Sequence, residues 1–92
     1  MRYECFEPLE EKFALSILLV VKEYEPINKK NIASILDCRP GTVGERIDAL
    51  RDADLIKIEA LRHKQNMHMI SLTERGKEIA ELVSGVGNIL AR

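Results

Sequence analysis

Between Ile27 and Gly76 the apolar residues change their spacing twice, and no other feature of the chain constrains the fold as much. Ile32, Ala33, Ile35 and Leu36 fall on one face of a short helix, after which Asp37, Cys38 and Arg39 read as a tight turn. Val43, Ile47 and Leu50 put one apolar stripe on a second helix running from Pro40 to about Ala53. The period then drops toward two. Leu55, Ile56, Lys57 and Ile58 open an alternating strand, the polar run Arg62 to Asn66 interrupts it, and Met67 to Leu72 restores it. The spacing therefore predicts two helices joined by a sharp turn, then a two-stranded hairpin, then a last helix entered through Leu72-Thr73-Glu74-Arg75-Gly76.

The flanks supply two longer helices. Leu9 to Tyr24 reads as the first, stopped by Pro26, which disfavours helical geometry at Glu25. Phe13, Ile17, Val21 and Tyr24 form one stripe, whereas Leu15, Leu18 and Leu19 spread apolar character onto a second face. The last helix runs from Glu74 to about Leu90 with Thr73 as its N-cap, and Ile79, Leu82, Val83, Val86, Ile89 and Leu90 lie along one side like a short coiled-coil seam. Gly85 and Gly87 each weaken that helix by roughly 1 kcal/mol relative to alanine, while permitting a close helix approach. A lone domain of this size lacks the partners to bury both apolar faces. The expectation is a homodimer through Leu15, Leu18 and Leu19 of the first helix and the seam of the last; the alternative is that the last helix folds back on its own domain.

Taken together, the segments Ile32 to Val43, Leu50 to Lys57 and Leu72 to Gly76 resemble the winged-helix regulators typified by the MarR and PadR families, over about half the chain. The resemblance implies a mainly α chain with a small β-hairpin (α+β), a winged helix-turn-helix ordered helix-helix-helix-strand-strand-helix, and binding to duplex DNA. Two positions depart from those families. Asp37 in the interhelical turn and Asp54 after the second helix stand where glycine is usual; a residue there tends to be left-handed, which aspartate tolerates better than most.

Ninety-two residues make one domain, with the helix-turn-helix at about 28–53, the hairpin at about 55–72 and the terminal helix at about 74–90. Such a chain buries roughly 60 to 65% of its unfolded surface, so a second copy would add useful stability. No apolar run reaches transmembrane length and the first residues lack a signal-peptide pattern, so the expected setting is cytoplasmic, with no membrane partner. The net charge of −1 conceals an asymmetry. Residues 27 to 77 carry ten Lys or Arg against seven Asp or Glu, whereas residues 1 to 26 carry three against six. Positive charge collects on the segment that would face phosphate.

Asn28 is a good N-cap, and Lys29 and Lys30 follow in the first turn, where cations oppose the helix dipole. A phosphate held there by exposed amides and both lysines would account for them; two solvated lysines are the plainer reading. On the proposed recognition helix Gly41, Thr42, Glu45, Arg46 and Ala49 face outward beside Arg39, and Gly41 and Gly44 leave room for a groove wall. Arg46 is the candidate for bidentate guanine contact and Thr42 for a phosphate or a thymine methyl. Glu45 and Asp48 run against this, either accepting from cytosine or pairing with Arg46 and Arg51. Arg62, His63, Lys64, Gln65 and Asn66 at the hairpin tip carry donors and no acid, which suits a phosphate backbone or minor groove as well as it suits an ordinary polar turn.

Other chemistry finds little support. Cys5, Cys38, His63 and His68 lack the short spacings of a metal site, so no metal or cofactor is expected; Cys38 reads as a small buried apolar residue, and Cys5 leaves open a thiol switch between copies. There is no phosphate loop, metalloprotease His pair or nucleophile elbow, and the chain is read as a non-enzyme. Two functions remain: a homodimeric regulator binding duplex DNA, or a winged-helix module binding another protein through the first and last helices.

Overall fold

The computed structural model describes residues 3–60 and 68–92. A 3-10 turn, Glu4–Phe6, runs into α1 (Glu7–Glu10), followed by α2 (Ala14–Tyr24), α3 (Lys29–Leu36) and α4 (Pro40–Asp52). Strands β1 (Ile56–Ala60) and β2 (His68–Leu72) pair antiparallel with Ile58 opposite Ile70, and α5 (Glu74–Leu90) follows. This is the mainly helical, hairpin-bearing order expected, with one helix more.

The extra helix arises because the stretch expected to be continuous from Leu9 is broken. Phe13 stands at φ 71°, ψ −5°, and α2 begins only after it. Left-handed geometry is costly for so bulky a residue. The break leaves the Lys12 carbonyl outside any helix, where it accepts a 2.8 Å hydrogen bond from Arg46 Nε on α4. Lys12 Nζ also lies 5.2 Å from the centre of the Phe13 ring, a cation–π contact. Both interactions offset part of the strain.

The remaining boundaries follow local chemistry. Asn28 Oδ1 accepts from the Asn31 amide at 2.8 Å and starts α3; Thr73 Oγ1 accepts from the Gly76 amide at 2.9 Å and starts α5. Pro40 occupies the first turn of α4, where its missing N–H costs nothing. Asp37 at φ 52° and Asp54 at φ 61° are both left-handed, as their positions require. Each ends its helix with a six-residue loop-back: the Cys38 amide donates to Ala33 O at 3.0 Å, and the Leu55 amide to Leu50 O at 2.9 Å.

Every helix longer than one turn contributes to a single core. Ile17, Leu18 and Val21 of α2 meet Ile32 of α3, Val43, Ile47 and Leu50 of α4, Ile56, Ile70 and Leu72 of the hairpin, and Ala80 of α5. Leu18, expected on a surface face, is fully enclosed within its own chain. Tyr24, expected in the core stripe, is half exposed at the end of α2. Met69 is half buried, in keeping with a packing role, and Ile58 packs against the core.

Two contacts fix the hairpin to the helices. Ile27 bridges to Ile70 with hydrogen bonds in both directions, and Glu25 Oε1 accepts from the Leu72 amide at 3.0 Å. At the far side Gly76 is pressed against the Leu55 backbone. A Cβ added at Gly76 would run into the Leu55 carbonyl oxygen, so only glycine fits. The Thr73 hydroxyl donates to Asp54 O at 2.7 Å and closes the same corner.

Candidate nucleic-acid interface

The second helix of a helix-turn-helix reads DNA through whatever its outer face presents. On α4, Val43, Ile47 and Leu50 are fully buried, and Gly41, Glu45, Asp48 and Asp52, three or four residues apart, form the opposite, exposed stripe. The first turn is open: among the described residues a Cβ at Gly41 would meet nothing within 4 Å, and Thr42 is half buried beside it. Farther along, the stripe is acidic. Asp48 pairs with Arg51 at 3.5 Å, and Glu45 with Arg46 at 3.6 Å, the pairings that the sequence offered as the alternative to base contact.

Arg46 departs most from expectation. Its side chain is only 19% exposed and turns toward α1 and α2, where it donates to Lys12 O and lies 3.9 Å from Glu11 Oε2. In this conformation it ties α4 to the N-terminal segment. Ala49 is likewise half buried and Cys5, Glu7 and Pro8 line the shallow hollow beside it. The sequence carried no sign of this, because the acceptor belongs to the backbone of a residue 34 positions away.

Of the two lysines that open α3, Lys29 lies beside α4 at Gly44. Lys29, Lys30 and Arg39 are exposed, and Asn28 caps the helix between α2 and α4. A Cβ added at Gly44 would be in ordinary contact with Lys29, 3.7 Å from Nζ and 3.9 Å from Cδ, which places the Lys29 side chain beside α4 at that position. Arg62, His63, Lys64, Gln65 and Asn66, together with Met67, lie outside the described residues.

At the other end of the molecule α5 divides the residues expected at an interface between copies. Ile79 packs on its own core and Val83 is half buried, whereas Leu82, Val86, Ile89 and Leu90 are exposed. From α2, Leu15 is exposed, Leu19 half buried, and Leu18 belongs to the interior. Tyr3 and Phe6 extend the exposed apolar face, their rings 6.5 Å apart, and with Leu9, Leu15, Val83 and Val86 they line a groove of about 440 Å³. Sequence reasoning missed this aromatic pair. Tyr3, Phe6 and Leu9 recur every three residues, and that helical period was the available signal.

Cys5 is exposed and Cys38 half buried, both as free thiols, the latter packed against the core as a small apolar side chain. Among the described residues no group of three or more His, Cys, Asp and Glu side chains is placed to hold a metal ion, and no helix is long and apolar enough to cross a membrane.

Two helices joined through a left-handed turn, a hairpin bridged to the segment before them and a long terminal helix define a winged helix. No protein-family model matches the chain, and no curated protein sequence does. Solved structures do. The chain is similar to the transcriptional regulator SlyA, with a TM-score of 0.82 and 20% identity over 90% of this chain and 59% of that one. Against a MarR protein from Peptoclostridium difficile the TM-score is 0.84 at 18% identity, over 94% and 57%. Against the adhesin competence repressor AdcR from Streptococcus pyogenes it is 0.81 at 17%, over 88% and 60%. The winged-helix fold is common to all of them, and this chain spans about three fifths of the length of each.

Proposed function

We propose that this protein binds duplex DNA as a homodimer and regulates transcription by occluding promoter sequence. The observation that carries the reading is an exposed, uncrowded first turn of α4 at Gly41, with exposed Arg39 as its N-cap and exposed Lys29 beside Gly44 one turn on, on a winged-helix frame. A turn without a side chain at Gly41 can approach a groove wall closely, and cations on either side can meet the phosphates along it. Arg62 and Lys64 of the hairpin would add to the same field, and His63, Gln65 and Asn66 would add donors. Arg39 and Thr42 stand beside Gly41, whereas Glu45 is suited to accept from cytosine. Arg46 reads a base only after leaving Lys12 and Glu11.

A homodimer supplies the rest. Leu82, Val86, Ile89 and Leu90 are exposed on α5, Val86 shares a groove with Leu15 and Val83, and a two-fold pairing of that face, with half-buried Leu19 of α2, would present two α4 helices together. Soluble chains rarely leave such surface uncovered. The cytoplasm is the compartment in which that duplex is met.

One observation favours a second reading. Glu45, Asp48 and Asp52 make most of the outer face of α4 acidic, which suits a basic protein partner better than a phosphate surface. Selection of bound sequences from random duplex at about 0.1 M salt separates the two. Enrichment of a near-palindromic site with half-sites about 10 base pairs apart is the result expected for a dimeric regulator. No enrichment, with binding that ignores sequence or is absent, rejects it in favour of the protein-binding module.

A further inference from the structure

A recess of about 210 Å³ separates α4 from the hairpin and is lined by Lys29, Asp48, Arg51, Ile58, His68 and Ile70. Three elements meet there: the first residue of α3, the C-terminal half of α4 and the inner face of both strands. We propose that this recess is a clamp for one backbone phosphate of the bound duplex, held by Lys29 and Arg51 with His68 as a third donor. The inference rests on the DNA-binding reading and adds Arg51 and His68 to it.

The argument is geometric first. A duplex that takes α4 into its major groove and the hairpin into the neighbouring minor groove has a single phosphate strand between those grooves. That strand has to cross the gap between α4 and the hairpin, which is this recess. Lys29 reaches from the start of α3 to α4, its Nζ 3.7 Å from where a Cβ of Gly44 would stand, one turn before Asp48, and it lines the gap. Arg51 is half exposed, and Asp48 engages one NH2 group at 3.5 Å, leaving the guanidinium other N–H donors for a phosphate oxygen. Asp48 thus orients Arg51 without using it up. His68 pairs with Ala60 at the outer end of the strands, on the face it shares with Ile58 and Ile70. Those two isoleucines form an apolar floor, against which charge-assisted hydrogen bonds are stronger than in open water. Two fixed cations oppose one carboxylate, so the recess is net positive even with His68 neutral.

The clamp predicts loss of grip without loss of reading. Binding of the selected duplex is measured by fluorescence anisotropy from about 0.05 to about 0.3 M salt for the unsubstituted protein, for Lys29→Ala with Arg51→Ala, and for His68→Ala, with melting curves as the check on folding. The double variant should bind all duplexes more weakly by a common factor, with a salt slope shallower by about 0.9 per protomer for one phosphate no longer neutralised. His68→Ala should weaken binding a few fold in the same uniform way. A second measurement replaces one phosphate at a time by an uncharged methylphosphonate. One position in each half-site should cost the unsubstituted protein about tenfold and cost the double variant nothing further. A double variant that folds yet keeps the original affinity and slope overturns the clamp alone. A changed ranking of sequences also overturns it, since the contacts are then with bases. Failure of the unsubstituted protein to bind any duplex overturns the DNA-binding reading and the clamp together.

Discussion

Ala80 and Leu82 are two residues apart on α5, yet Ala80 is fully enclosed and Leu82 is 72% exposed. The contrast extends to the whole helix. Its first two turns are locked into the domain by the Thr73 cap, by the contact of Gly76 with Leu55 and by burial of Ala80. From Gly85 to Leu90 every residue is exposed, although Val86, Ile89 and Leu90 are as apolar as anything in the core. Similar residues on one helix therefore face different tasks. The near end stabilises the domain, and the far end carries apolar surface that the described residues leave uncovered. Substitutions at the near end should change the melting temperature, and those at the far end the state of association.

Gly76→Ala should have the largest effect, because the new methyl group meets backbone that cannot rotate away. A loss of about 3 kcal/mol or more is expected by denaturant unfolding. Near-normal stability in this variant would mean that α5 is not pinned against Leu55. Next in size is Leu82→Glu combined with Val86→Glu. It should leave the secondary structure intact and convert a sedimenting dimer to monomer, since an unpaired buried charge costs about 3 to 5 kcal/mol. A parent protein that sediments as a monomer at micromolar concentration removes the distinction between the two ends.

Thr73→Ala should cost about 1 kcal/mol or slightly more, as both the cap to Gly76 and the hydrogen bond to Asp54 O are lost, with no change in association. The smallest effect is the most discriminating. Replacing Gly85 and Gly87 with alanine should raise helix stability by up to about 1 kcal/mol each when added to the monomeric double variant Leu82→Glu, Val86→Glu. In the parent background the same change should weaken association several fold if the partner helix approaches closely there, where a Cβ meets nothing within 4 Å among the described residues. Equal effects in both backgrounds would place the contact elsewhere on α5.

What the sequence made legible was local. Asn28, Thr73 and Pro40 act within one helical turn, so residue type and spacing were enough, and the left-handed positions at Asp37 and Asp54 were legible from the resemblance, which implies glycine at both. The hairpin was legible for the same reason, its alternation matching a pairing of Ile58 with Ile70. The break at Phe13 was not, because apolar periodicity runs through it and the group that engages the freed carbonyl is Arg46, far along the chain. The fate of Arg46 hid the main change to the candidate site. A helical wheel shows which residues point away from a core, but not that one of them bends back to a carbonyl on a neighbouring segment. Leu18 failed similarly: its helix is covered on more sides than a single stripe can indicate.

The contacts of Glu25 and Ile27 with β2 bear on how the chain avoids uncontrolled assembly. A two-stranded hairpin ordinarily offers unpaired N–H and C=O groups along its outer edges, a template for strand addition and fibrous aggregation. Here the β2 edge is occupied: Ile27 takes and gives hydrogen bonds at Ile70, and the Glu25 carboxylate captures the next outward amide, at Leu72. β1 carries charged Lys57 and Glu59 between its apolar residues, which discourages stacking onto the sheet. With the β2 edge occupied and β1 charged, strand addition is disfavoured, and in the proposed dimer association would run through the exposed stripe on α5, where helix pairing closes after two copies whereas an open sheet edge does not.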